Sequence, residues 1–305
     1  MTEMTQGANA VVTSQSSYAK HLAKLERREK LIYFAFVMPL LVYLAIFFIY
    51  PLFSFLPTSF YYEGAFSFDK YLRAFTRPVY LRILRTSFII AGSTTLITLI
   101  LAYPVAYLFT NVSGKMKGVI TAFIILPFWT SIIVRMYAWM SLLGHNGIFN
   151  RMFLEAGVIS EPIPMMFNRF GVLVGMVHFM LPYMVLSIYA VMSGIPPDYM
   201  RAGANLGAAP LKRFIKIYLP LSMPGVGAGC LLVFILALAF YITPALLGGL
   251  KDTMIAQIID QEMRETFDWP FAAALSTVLI IVTTTLYIIY QKVMSVERIY
   301  EGKGQ

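Results

Sequence analysis

Charge is scarce in this sequence, and cysteine nearly missing. Only 13% of the 305 residues are Asp, Glu, Lys or Arg, while 59% are hydrophobic; soluble domains carry about a quarter charged residues. A water-soluble globular domain is therefore excluded, and the chain reads as an integral membrane protein. The one cysteine, Cys230, lies in an apolar run, so an internal disulfide is excluded. No Gly-x4-Gly-Lys-Ser/Thr pattern occurs: Gly114-Lys115 lacks both the upstream glycine and the following hydroxyl residue, so no P-loop for ATP is present. No His-Glu-x-x-His occurs, and no second His, Asp or Glu stands at metal-ligand spacing from His178. The net charge of +9 raises the question of which bilayer face the charges occupy; it does not call for nucleic acid.

What is there is apolar length. Six stretches of roughly 20 residues or more can each cross a bilayer: about 31–53, 85–109, 118–142, 171–192, 224–247 and 271–294. Their prolines are tolerable because neighbouring helices satisfy freed carbonyls. None of the 15 carboxylates falls in these spans, which argues against a proton- or sodium-coupled secondary transporter. The catalytic pairs that a membrane-embedded enzyme needs are also missing.

Around the spans the expected organisation is a tail at 1–30, a six-helix domain at 31–294 with its core at about 84–294 and a polar loop at 193–221, and a second tail at 295–305. Residues 1–17 are small and polar, with the composition of disorder. Residues 16–30 carry five basic side chains, with Tyr18, Leu22 and Leu25 at helical spacing. That pattern fits an interfacial helix on anionic lipid or a solvated tail. A signal peptide is not expected, since the first apolar run starts too late and is too long. With both termini placed in the cytoplasm, inside segments carry a net charge of +8 and outside segments +1, the asymmetry of the positive-inside rule.

The loop between the fourth and fifth spans, IPPDYMRAGANLGAAPLKRFIKIYLPLSMP, is too short and too polar to cross. It divides into two helical pieces. Asp198 can cap the first and Gly207 end it; Pro210 can open the second at its first turn. Leu211, Phe214, Ile215 and Tyr218 then fall on one apolar face, with Lys212, Arg213 and Lys216 opposite, and Pro220 is expected to stop the pattern. A connector resting on headgroups would not need glycine and Leu-Pro at these offsets.

These residues resemble the loop of pattern E-A-A-x3-G-x9-I-x-L-P carried by permease subunits of ABC importers. Ala202, Gly207, Ile217, Leu219 and Pro220 match it with spacing intact. Arg201 stands in place of Glu and Gly203 in place of Ala. LPFWTSIIVRMYAWMSLLGHNGIFN, FILALAFYITPALLGG and Asp268-Trp269-Pro270 are similar to the spermidine/putrescine-type permeases of that family. The resemblance implies an all-α type I importer fold of six helices in the bacterial inner membrane, the first lying against a partner permease and five enclosing half of a path. It implies a coupling loop at Asp198, Arg201, Ala202, Gly203, Gly207, Ile217, Leu219 and Pro220. It also implies a second permease, an ATPase pair holding ATP and Mg, a solute-binding protein outside, and surrounding lipid as partners. The chain itself is then expected to be no enzyme and to hold no cofactor, metal or nucleic acid. The implied cargo is a polyamine, or else another small cationic or amino-acid-like solute.

Two span residues invite a chemical role. Arg135 is costly in a bilayer, but a straight helix from Gly118 would carry it to the outer surface, where it can snorkel. His178 stands alone, which fits hydrogen-bonded packing better than a ligand. Trp129, Trp139 and Trp269 suit interfacial belts or packing.

Overall fold

The apolar runs fold as helices in the computed structural model, which describes residues 32–62 and 65–301. In chain order these are α1 (Ile32–Phe60), α2 (Asp69–Thr76), α3 (Pro78–Asn111), α4 (Gly114–Trp129), α5 (Ile132–Leu143), α6 (Ile148–Glu155), α7 (Arg169–Met192), α8 (Pro197–Asn205), α9 (Pro210–Leu238), α10 (Ile242–Leu247), α11 (Ile255–Arg264) and α12 (Trp269–Glu301). A two-residue hairpin, β1 (Tyr61–Tyr62) with β2 (Ala65–Phe66), is the strand structure among the described residues. The basic stretch at 16–30 lies outside them. Two units divide at Thr58, α1 in the first up to that residue and all later elements in the second.

Helices α1, α3, α7, α9 and α12 are each long and apolar enough to cross a membrane, so the protein is a multi-pass membrane protein. The expected span at 118–142 is not straight. Segments Gly114–Trp129 and Ile132–Glu155 meet at 104° and count as one crossing only as a bent pair. Pro127 has no N–H for the Phe123 carbonyl; Thr130 and Ser131 then turn extended (ψ 137° and 136°). The Thr130 hydroxyl donates to the Pro127 carbonyl at 3.1 Å. The expected span at 224–247 is also corrected: α9 starts at Pro210 and ends at Leu238, and α10 is a separate helix. That break puts Pro244 in the first turn of α10, where a backbone N–H has no intrahelical acceptor to lose.

Pro220 does not stop its helix either. Residues Phe214–Tyr218 form a π-turn, and the Leu219 N–H reaches back to the Phe214 carbonyl. The same device precedes Pro51, where Ala45–Ile49 are π-helical and the Tyr50 N–H bonds the Ala45 carbonyl. A proline ring clashes with the carbonyl four residues back, and a wider turn moves that carbonyl aside.

The core of the second unit is a three-helix packing of α3, α7 and α9, with α7 in the middle. Lipid offers no hydrophobic drive between helices, so close packing must hold them. Buried Ala91, Ala102 and Ala106 of α3 face Met176, Met180, Met184 and Ile188 of α7. Gly225 and Gly229 let α9 close in, since a Cβ there would meet Val191 Cβ at 2.9 Å and Met184 Sδ at 2.7 Å. Tyr103 and Ser222 add a hydroxyl pair at 2.9 Å between α3 and α9.

Candidate functional site

The loop at 193–221 folds as an elbow whose two arms are locked together. The first arm, α8, begins after the extended Pro196 (ψ 131°) with Pro197 as its first residue. Asp198 is therefore the second helical residue and caps nothing, contrary to the sequence expectation, because the fixed φ of Pro197 starts the helix one residue earlier. Arg201 becomes the fifth helical residue, and its Nη1 donates to Asp198 Oδ1 at 3.1 Å on an exposed face. Gly207 ends the arm at φ +77°. Its N–H bonds the Ala204 carbonyl at 2.9 Å, and the Ala208 N–H bonds the Gly203 carbonyl at 3.0 Å, the paired bonds of a Schellman stop.

The second arm is the start of α9, continuous with its membrane span. The expected apolar face splits here. Tyr218 is buried and Phe214 half-buried, against Tyr107 at 5.1 and 5.5 Å between ring centres. Leu211 and Ile215 remain exposed. Arg213, expected on the polar side, turns inward and donates to the Met200 carbonyl at 3.2 Å. Gly203 is buried where α8 meets α9, and a Cβ there would meet Ile217 Cδ1 at 2.8 Å. The glycine that departs from the family pattern thus seats the isoleucine that keeps it. Ala202 and Pro220 lie exposed and Leu219 half-buried. The outward surface of the elbow is apolar at Tyr199, Leu206 (87% exposed), Leu211 and Ile215, flanked by exposed Lys212 and Lys216.

Two other sites flagged by sequence take their shape from neighbours. The bend between α4 and α5 voids the straight-rise estimate for Arg135. It lies in the first turn of α5, its guanidinium 4.9 Å from the Phe179 ring centre and its Nη2 donating to the Thr130 carbonyl at 3.2 Å. His178 accepts a hydrogen bond from Trp139 Nε1 at its Nδ1, 3.0 Å away, which bears out packing for both. Asp268 caps α12 by accepting the Phe271 N–H at 3.1 Å. It also takes Lys70 Nζ at 2.9 Å and Arg73 Nη1 at 2.8 Å. Burial alone would raise its carboxyl, but the Lys70, Phe271 and Arg73 bonds outweigh that and hold it below the usual range. This network joins α2 to α12, and Arg73 extends it to Tyr80 at 2.8 Å. The amphipathic α11, on which Glu262 is buried, was missed because its apolar residues are too few to mark a span.

No family model matches the sequence. The permease protein PotB of the Escherichia coli spermidine/putrescine transport system is 36% identical over 225 residues, 74% of this chain and 82% of PotB. The E. coli inner membrane ABC transporter permease protein YdcU is 30% identical over 257 residues, 76% of this chain and 81% of YdcU. Among solved structures, a chain of a bacterial alginate ABC transporter in complex with its alginate-bound periplasmic protein superposes with a TM-score of 0.74 at 17% identity. It covers 87% of this chain and 93% of its own. A fold shared at that coverage agrees with the all-helical architecture, and the chain belongs to the PotB family of ABC importer permeases.

Proposed function

We propose that this permease carries a polyamine such as spermidine or putrescine inward across a bacterial inner membrane, powered by an ATPase pair that grips the elbow from the cytoplasm. The observation that carries the cargo reading is the 36% identity to PotB over 74% of the chain. The observation that supports the coupling is mechanical. Exposed Tyr199, Leu206, Leu211 and Ile215 offer an apolar plug, and Gly203–Ile217 contact with the Arg213–Met200 bond fixes α8 to α9. A push on α8 is then transmitted along an unbroken helix to Leu238.

In this reading both termini and the elbow are cytoplasmic, as the charge asymmetry supports. A second permease supplies the other half of the path, and a binding protein delivers cargo from outside. ATP and Mg are held by the ATPase; this chain supplies the lever and the path. The test is uptake of labelled spermidine and putrescine by liposomes holding both permeases and the ATPase, with the cognate binding protein added outside. Saturable, ATP-dependent uptake of either amine is expected. Uptake of a basic amino acid or another small cation, with both amines refused, would move the cargo to that class while leaving the coupling untouched.

A further inference from the structure

Where α2 leads into α3, a row of cations stands without counter-charges. Lys70 and Arg73 are held by Asp268 and Glu262. Arg77, Arg82 and Arg85 are exposed, and none has an ion-pair partner among the described residues. We propose that Arg82 and Arg85 head a binding site for an anionic phospholipid, its phosphate on the guanidinium groups and an acyl chain along α3.

The length of α3 sets the depth of these arginines. Its 34 residues rise about 51 Å, more than the roughly 40–45 Å of a bilayer with its headgroups. From Phe88 to Leu108 the helix carries no charge, and that stretch rises about 30 Å, the thickness of the hydrocarbon core. Arg85 and Arg82 follow roughly one and two turns beyond Phe88, at the level of lipid phosphates. A phosphodiester accepts paired N–H bonds from guanidinium groups. With no carboxylate at hand, the pair favours a lipid of net negative charge over a zwitterion that brings its own cation.

A seat for the chain lies on the same face. Arg82, Arg85, Ile89, Gly92, Leu96 and Ile100 follow one another at helical spacing. Ile89, Leu96 and Ile100 are exposed, and nothing lies within 4 Å of where a Gly92 Cβ would stand. That notch, between Ile89 and Leu96, runs directly below the arginine pair. The polarity of α2 agrees with a membrane surface here. Its Lys70 and Arg73 turn inward to Asp268, while Leu72 and Phe75 point outward and are exposed. Water would favour the reverse, whereas a headgroup boundary takes up apolar side chains.

The site goes beyond the cargo reading and rests only on the membrane assignment. In the detergent-purified assembly of both permeases and the ATPase, labelled phosphatidylglycerol should bind saturably. Phosphatidylcholine of the same chain length should compete poorly, and glycerol 3-phosphate, which has the phosphate without the chains, should not compete. Arg82→Gln and Arg85→Gln should each weaken binding about fivefold, the usual effect of one basic residue at a lipid surface. Gly92→Leu fills the notch and should also weaken binding, with the preference over phosphatidylcholine retained. No saturable binding, equal competition by phosphatidylcholine, or affinity unchanged by all three substitutions overturns the site. Competition by glycerol 3-phosphate as strong as by the lipid overturns it in favour of a free phosphate ester. Loss of the second permease, or of ATPase stimulation by the binding protein, from a lipid-free Arg82→Gln/Arg85→Gln assembly also overturns it, because the arginines would then hold a protein partner.

Discussion

At the residue scale the elbow rests on two glycines with different reasons. Gly207 needs its left-handed φ of +77°, while nothing lies within 4 Å of where its Cβ would stand. A side chain there meets backbone strain alone, about 1–2 kcal/mol for a bulky residue. Gly207→Val should therefore reach the membrane and assemble, with its unfolding midpoint lowered by a few degrees and its transport impaired. Gly203 is the reverse case, right-handed but tightly approached, so Gly203→Leu should separate the arms and expose the Ile217 region to protease. Asp268 gives a pH prediction. Its folded carboxyl titrates below the usual value of about 3.9, so its bonds to Lys70, Arg73 and the Phe271 N–H stabilise fully above that value. They are lost as the pH falls through the lower folded value. Thermal unfolding should show no loss from this network between pH 7 and 5 and a decline only below about pH 4; Asp268→Asn should lower the midpoint at pH 7 and remove that acid decline. The matched motif residues and the role of Gly207 as a stop could be read from sequence because spacing and φ preference are local. Asp198 could not be placed to the residue, since Asp198 and Pro197 compete for the start of α8 and the proline won.

At the element scale, length and hydropathy located every long helix, and α7 at Arg169–Met192 matches its expected span nearly to the residue. Breaks were not legible, because proline signals a stop, a bend or a first turn according to what surrounds it. Pro127 lies in the last turn of a helix, Pro244 in the first turn of one, and Pro220 in a helix that continues. The π-turns before Pro51 and Pro220 are invisible to any periodicity of 3.6. They make one prediction: Pro220→Ala restores an N–H that can bond the Lys216 carbonyl, so the π-turn should close to α-helix and rotate the elbow on its span. The variant should melt no lower than the parent in thermal unfolding, yet transport less cargo per ATP. A lower melting point with normal transport would mean that the π-turn is only a local accommodation.

At the scale of the whole molecule, orientation and coupling stand or fall together. Cysteines introduced at Asp69 and Lys251 should react with an impermeant maleimide added outside intact cells, and one at Lys115 should not; labelling at Lys115 would place the elbow on the wrong face for an ATPase. The composition made the membrane assignment plain, and the motif made the family plain, but the packing of α3, α7 and α9 depends on which small residues face each other and could not be read from hydropathy. The central claim is that the elbow turns ATP hydrolysis into movement of the path. It is tested most directly by the ratio of cargo imported to ATP hydrolysed in liposomes holding both permeases and the ATPase, with the loaded binding protein outside, comparing the parent chain with Gly207→Val. Hydrolysis that persists while the ratio falls about tenfold, the effect of roughly 1.4 kcal/mol, is the predicted result. An unchanged ratio in a fully assembled Gly207→Val complex would contradict it.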